Sequence, residues 1–235
     1  MKTLGLIGGL SWESTVPYYT FINQAVKQRL GGLHSARLIL YSVDFDDIQQ
    51  LMHAGDWDGA GAALAAAAHS LEIAGAQGLV LCTNTLHKVA PAIESAVRIP
   101  LLHIIDATGA AIASAGFQTV GLLGTRFTME QPFYRDRLQA SHGIKALSPD
   151  APDRAILHRI IFEELCLGRV VDASRMDARR IMRSLVAQGA QGIILGCTEL
   201  AMLIGPADVS VPLFDTTAIH ASHAVDWALA GVRSA

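Results

Sequence analysis

The sequence predicts an α/β protein of two pseudosymmetric domains, each a parallel sheet flanked by helices. Two observations carry that prediction. Short apolar runs rich in β-branched residues alternate with longer helical stretches, the order in which strands and crossover helices build a parallel sheet. The chain also repeats itself: GAQGLVLCTNT at 75–85 returns as GAQGIILGCTE at 189–199, an offset of 189 − 75 = 114.

The runs follow in order. TLGLI (3–7), ARLILYS (36–42), GLVLC (78–82), IPLLHI (99–104), TVGLLG (119–124), GIILG (192–196) and VPLFD (211–215) are the expected strands. Their unbroken apolar character predicts burial on both faces. Between them the helices have readable ends. DFDDI (44–48) is a helix start whose acids suit the macrodipole, and Asp56 caps a helix that begins near Trp57 and closes at Gly75. Gly189 closes the helix running from about Ala173.

Three further blocks repeat in the same order. TLGLIGG from Thr3 matches TVGLLGT from Thr119, PYY (17–19) matches PFY (132–134), and PLLHIIDAT from Pro100 matches PLFDTT from Pro212. The expected division is 1–98 plus 210–235 for the first domain and 99–209 for the second. Ligands in open parallel sheets bind beyond the carboxyl ends of the strands. The active site is therefore expected in the interdomain cleft, with Thr83 and Cys197 at equivalent strand ends.

Composition narrows the function classes. Of 235 residues, 17% are charged and 51% hydrophobic, with net charge −3, which describes an ordinary globular protein with no basic patch for nucleic acid. The apolar run at 60–68 is far below the roughly 20 residues that span a bilayer. MKTLGLIGGL lacks a cleavage pattern and reads as a first strand, so the expectation is a cytoplasmic protein with neither membrane nor nucleic-acid partners. Three widely spaced cysteines without a Cys-x-x-Cys motif predict reduced thiols. GLIGG lacks the Gly-x-Gly-x-x-Gly spacing of a dinucleotide site. His220 and His223 could share a helix face, but no third ligand accompanies them; they read as a solvated pair and no metal site is expected. Cys166 reads as an apolar cysteine, not a redox partner.

Paired groups facing one centre suit a reaction that removes a proton from one side of a carbon and returns it from the other. A thiol fits, because its reference pKa of about 8.5 lets both protonation states be reached near neutrality. Asn84 and Thr85 after the first site and Thr198 after the second offer short donors for a carboxylate; ordinary helix caps are the plain alternative.

LCTNTLHK, IILGCTEL and the glycine-rich loop GLIGGLSWEST resemble the aspartate/glutamate racemase family of cofactor-independent amino acid racemases, over essentially the whole chain. The resemblance implies two α/β domains with the last strand and helix returning to the first. It also implies two-base racemisation without pyridoxal phosphate or metal, a small amino acid as substrate, and a homodimer. Carried over by motif, Asn84, Thr85 and Thr198 hold the substrate carboxylate, and Leu10 lies near the substrate.

The family's first motif reads Cys-Asn-Thr, and here Thr83 fills the cysteine's slot. The internal offset of 114 agrees, while a one-residue gap would restore Cys82. In the family the second cysteine takes the α-proton of the L-enantiomer, so Cys197 is the expected base and Thr83 the expected acid. This lopsided pair resembles the L-aspartate/glutamate-specific subgroup. The arginine and lysine that hold a distal carboxylate are also missing, since 42–52 has no basic residue and Cys166 stands where the lysine would be. Met52 and Cys166 become pocket-wall residues, with His53, His87 or Lys88 as replacement cations, and neutral substrates such as homoserine come into view. The alternatives are a decarboxylase or maleate isomerase of the same superfamily, or a non-catalytic carboxylate binder.

Overall fold

The computed structural model describes residues 1–232. It contains two four-stranded, wholly parallel sheets of the same topology. The first has the order β2-β1-β3-β4, with β1 (Leu4–Gly8), β2 (Leu38–Ser42), β3 (Gly78–Leu81) and β4 (Leu101–Leu102). The second has the order β6-β5-β7-β8, with β5 (Thr119–Gly124), β6 (Lys145–Leu147), β7 (Ile193–Gly196) and β8 (Leu213–Asp215). The repeated blocks thus fall on equivalent strands, β1 with β5, β3 with β7 and β4 with β8.

The chain divides into two compact units, Met1–His103 together with the segment from His220 onward, and Ile104–Ile219. This differs from the breaks at 98 and 209 expected from sequence. The short strand β4 pairs with β3, and β8 pairs with β7, so each PLL/PLF block finishes its own sheet. Only the last helix, α11 (Thr216–Leu229), continues from the second unit into the first.

In the first unit, α1 (Trp12–Leu30) and α11 cover one face, packing Tyr18, Ile22, Val26, Ala224 and Val225 onto Leu4, Leu6, Val80 and Leu102. The helices α2 (Phe45–Ala54), α3 (Trp57–Ile73) and α4 (Ala90–Ala96) complete this unit. Asp44 caps α2 by accepting from the Asp46 N–H at 3.0 Å, and Asp56 caps α3 from the Gly59 N–H at 2.8 Å. In the second unit, α5 (Ile104–Ser114) and α7 (Pro132–His142) pack against Val120, Leu122, Ile194 and Phe214. On the opposite face α8 (Ala151–Glu163) and α9 (Asp172–Ala187) enclose Leu123, Ile193 and Leu195, and the short α6 (Arg126–Glu130) supplies Met129.

Burial on both faces holds for the central strands and fails at the edges. Strands β1, β3 and β7 are buried throughout. At the sheet edge β2 leaves Leu40 and Tyr41 exposed, because an outer strand has a neighbour on one side only. Strand β6, absent from the sequence expectation, occupies the equivalent edge and begins at exposed Lys145.

The matched glycines have matched reasons. Gly75 and Gly189 lie just beyond α3 and α9 at φ +98° and +101°, a conformation open mainly to glycine. Gly78 and Gly192 lie where a Cβ would come within 2.5 Å of the Trp227 ring and 2.7 Å of the Phe214 ring. The repeated phrase is therefore a helix stop followed by a close approach to an aromatic ring.

Candidate active site

Strand β3 ends at Leu81, and the next residues carry the first motif. Cys82 extends the ladder, its N–H donating to Ile7 O at 2.9 Å, so its side chain falls on the same core face as Val80. There the sulfur lies in an apolar cluster with Leu4, Leu6, Tyr18 and Leu102, its Sγ 3.8 Å from Val80 O. Burial pushes this thiol far above its ordinary range, which leaves it protonated at any physiological pH. Thr83 is the first residue past the ladder and keeps 8% exposure. Asn84 and Thr85 are buried behind it, and Thr85 opens a 3₁₀ turn, Thr85–Val89.

Thr83 is held from below. His87, four residues on, donates from Nδ1 to Thr83 O at 2.7 Å. Its ring lies 4.5 Å from that of His103 and 5.8 Å from that of His220, centre to centre, all three histidines being buried. His220 donates from Nε2 to Leu102 O at 2.6 Å and accepts at Nδ1 from the Tyr18 hydroxyl at 2.9 Å. His220 is therefore core, not half of a solvated pair with the exposed His223. Burial lowers its pKa to about 4, so it is neutral.

The second motif follows β7. Gly196 ends the strand, Cys197, Thr198 and Glu199 form the turn, and α10 (Leu200–Leu203) starts as the Leu200 N–H donates to Cys197 O at 3.1 Å. Both Cys197 and Glu199 are buried. Three side chains converge on the Glu199 carboxylate. Cys197 Sγ donates to Oε2 at 2.9 Å, Thr198 Oγ1 donates to the same oxygen at 2.6 Å, and Cys166 Sγ donates to Oε1 at 3.7 Å. Burial first, and then the Glu199 charge, raise the Cys197 thiol well above its usual value. At neutral pH it rests protonated.

The remaining expected residues have definite places. Leu10 is buried in the loop after β1, where the Gly9 N–H is held by Thr15 Oγ1 at 2.9 Å. Met52 is buried near the end of α2. Cys166 sits in the 3₁₀ turn Leu165–Leu167, against Glu199. Among the suggested cations, Lys88 places Nζ 3.6 Å from the centre of the Trp57 ring, and burial lowers its pKa. His53 is exposed, and His87 is committed to the Thr83 carbonyl. Sequence alone missed the roles of Glu199 and His87, although both stand inside the quoted motifs. Among the described residues no group of three or more His, Cys, Asp or Glu side chains is arranged to hold a metal ion.

These strand ends, repeated on one topology, are matched by a known family: residues 7–224 fit the description Asp/Glu/Hydantoin racemase. The chain belongs to this family. A crystal structure from Yersinia pestis, described as a candidate Asp/Glu racemase, is 60% identical over 97% of this chain and 100% of its own, with a TM-score of 0.91. An aspartate racemase homologue from Pyrococcus horikoshii OT3 is 36% identical over 97% and 99% of the two chains, with a TM-score of 0.83. The broad specificity amino-acid racemase RacX of Bacillus subtilis is 23% identical over 97% of this chain and 98% of its own. Membership of this racemase family makes the protein an isomerase of the amino-acid racemase class. No helix among the described residues is long and apolar enough to cross a membrane.

Proposed function

We propose that the protein inverts the α-carbon of a small amino acid by two proton transfers, with Cys197 as the base toward the L-enantiomer and Thr83 as the acid on the opposite face. The observation that carries this is positional: Thr83 follows β3 and Cys197 follows β7, equivalent strands of a duplicated sheet. Cys82, by contrast, is sealed in the core with a thiol that does not ionise in the working range, which supports Thr83 as the first acid. Asn84, Thr85 and Thr198 are the proposed donors to the substrate carboxylate, and Leu10, Met52 and Cys166 the residues bounding its side chain.

In the L-to-D direction the Cys197 thiol first gives its proton to solvent, and then the Cα–H bond breaks as an S–H bond forms on the resulting thiolate, which restores the resting thiol. The Thr83 O–H then gives its proton to the other face of the carbanion, and solvent restores the hydroxyl. A threonine hydroxyl is a far weaker acid than a thiol and its alkoxide is inaccessible as a resting base near neutrality. Turnover from the L-side is therefore faster than from the D-side. L-aspartate and L-glutamate are the first substrates to test. Neutral amino acids such as L-homoserine follow, because Cys166 bonds Glu199 where a distal carboxylate would need a cation.

Incubation of L-glutamate or L-aspartate in D₂O tests the proposal by proton NMR. The α-proton signal is expected to disappear with wild-type protein and to persist with Cys197→Ser, whose rate should fall at least ~100-fold for the loss of an acid–base group. Unchanged signals across a panel of L-amino acids would leave the protein as a binder without turnover.

A further inference from the structure

Glu199 is an acid kept at 4% exposure in contact with the sulfur of the proposed base, and the two-proton scheme does not itself use it. Its Oε2 accepts from both Cys197 Sγ and Thr198 Oγ1, and its Oε1 from Cys166 Sγ. The three donors come from two separate segments of one unit, 166 and 197–198, so the carboxylate is fixed by more than its own turn. A lone strand-end thiol has no such anchor and rotates among staggered positions.

We infer that Glu199 is a positioning residue for Cys197: its carboxylate holds the thiol hydrogen at rest, fixes where the sulfur points, and strengthens that sulfur as a base once the hydrogen has gone. The reason is electrostatic. A negative oxygen about 3 Å from the sulfur in a poorly solvated turn opposes a second negative charge there, so the thiolate that forms has an unusually high proton affinity. An α-hydrogen is a weak acid, and general-base catalysis favours a base strong enough to take it. Cys166 adds a smaller effect of the same sign, and the Arg159–Glu164–Ser174 set beside it closes on itself at 2.7 and 2.6 Å.

The catalytic consequence rests on the proposed racemase activity, but the ionisation does not, and the two are measured separately. Iodoacetamide labelling of the full-length protein, followed residue by residue by mass spectrometry across pH, gives the midpoint and the high-pH plateau for Cys197. In Glu199→Gln the midpoint is expected to fall by about one pH unit, which is an about 10-fold faster labelling at pH values below both midpoints, with the plateau within about 2-fold of wild type. Glu199→Asp, which shortens the carboxylate's reach, should give a smaller fall. On an L-substrate, kcat divided by the thiolate fraction that the labelling curve gives should fall in Glu199→Gln, by up to about 10-fold, with KM within about 2-fold, because a weaker base slows only the proton transfer. An unmoved midpoint in both variants overturns the inference. So does a plateau that rises with the midpoint's fall, which means the turn has merely loosened. A shifted midpoint in a protein without D₂O exchange upholds the hold on the thiol while removing the racemase activity.

Discussion

One peptide unit separates Cys82 from Thr83, and the backbone sends the two side chains to different fates. The sulfur joins Leu4, Leu6 and Val80 in the core, while the threonine follows the last ladder bond, its N–H donating to Leu81 O and its carbonyl accepting from His87. The chemistry proposed for this strand end consequently belongs to the hydroxyl. Cys82→Ser should leave turnover within about 2-fold and cost about 1–3 kcal/mol of stability, as a buried hydroxyl replaces a buried thiol. Thr83→Ala should lower D-product formation strongly. Thr83→Cys supplies a group that ionises near neutrality and should raise the rate from the D-side by about 10-fold or more. Initial rates from each enantiomer check all three, and loss of turnover in Cys82→Ser with retention in Thr83→Ala would overturn the register.

The elements themselves are held by close contacts that the repeat had encoded. Gly192 enters β7 beside the Phe214 ring of β8, and Gly78 enters β3 beside Trp227 of α11. A methyl group at either position must displace an aromatic ring, so Gly192→Ala and Gly78→Ala should each cost about 1–3 kcal/mol in urea unfolding. A change below about 0.5 kcal/mol would mean that the ring moves freely. At this scale most of the fold is legible in sequence, because the central strands carry continuous apolar runs and β3, β5 and β7 each follow a helix with a glycine stop. What escapes has local causes. Strand β6 is three residues long, partly exposed and led by lysine, so it carries no apolar signature. Strand β2 is as apolar as a buried strand yet lies at an edge, a matter of sheet order that its own residues do not encode. Thr83, Asn84, Cys197 and Thr198 are visible as repeated motifs. The tie of His87 to the Thr83 carbonyl and of Glu199 to Cys197 and Cys166 depends on how turns fold back, which no periodicity reports.

Across the whole molecule two similar sheets are joined by a helix that leaves one and continues into the other. His220 sits at that passage, neutral, bridging Tyr18 and Leu102. Unfolded, its imidazole takes a proton near pH 6.5; folded, only near pH 4. Between these values the unfolded chain binds a proton that the folded protein refuses, so stability falls as pH falls, by up to about 3 kcal/mol for a gap of about 2.5 units at about 1.36 kcal/mol each. Asp215, whose pKa is raised chiefly by burial, acts in the opposite sense over part of the same range. The comparison with His220→Gln isolates the histidine: its stability deficit against wild type should shrink as pH drops from about 6.5 to about 4. Parallel pH curves would contradict the account of His220.

The duplication has its strongest consequence in the division of labour proposed for the two strand ends, and isotope exchange measured against inversion tests it directly. With an L-substrate in D₂O, wild-type protein should deuterate Cα and form D-product together. Thr83→Ala should still wash the α-proton out of the L-pool while D-product formation drops, since Cys197 can return a deuteron to the face it came from. Cys197→Ser should do neither. Washout that survives the loss of Cys197, or undiminished D-product without Thr83, would contradict the assignment of one proton to each.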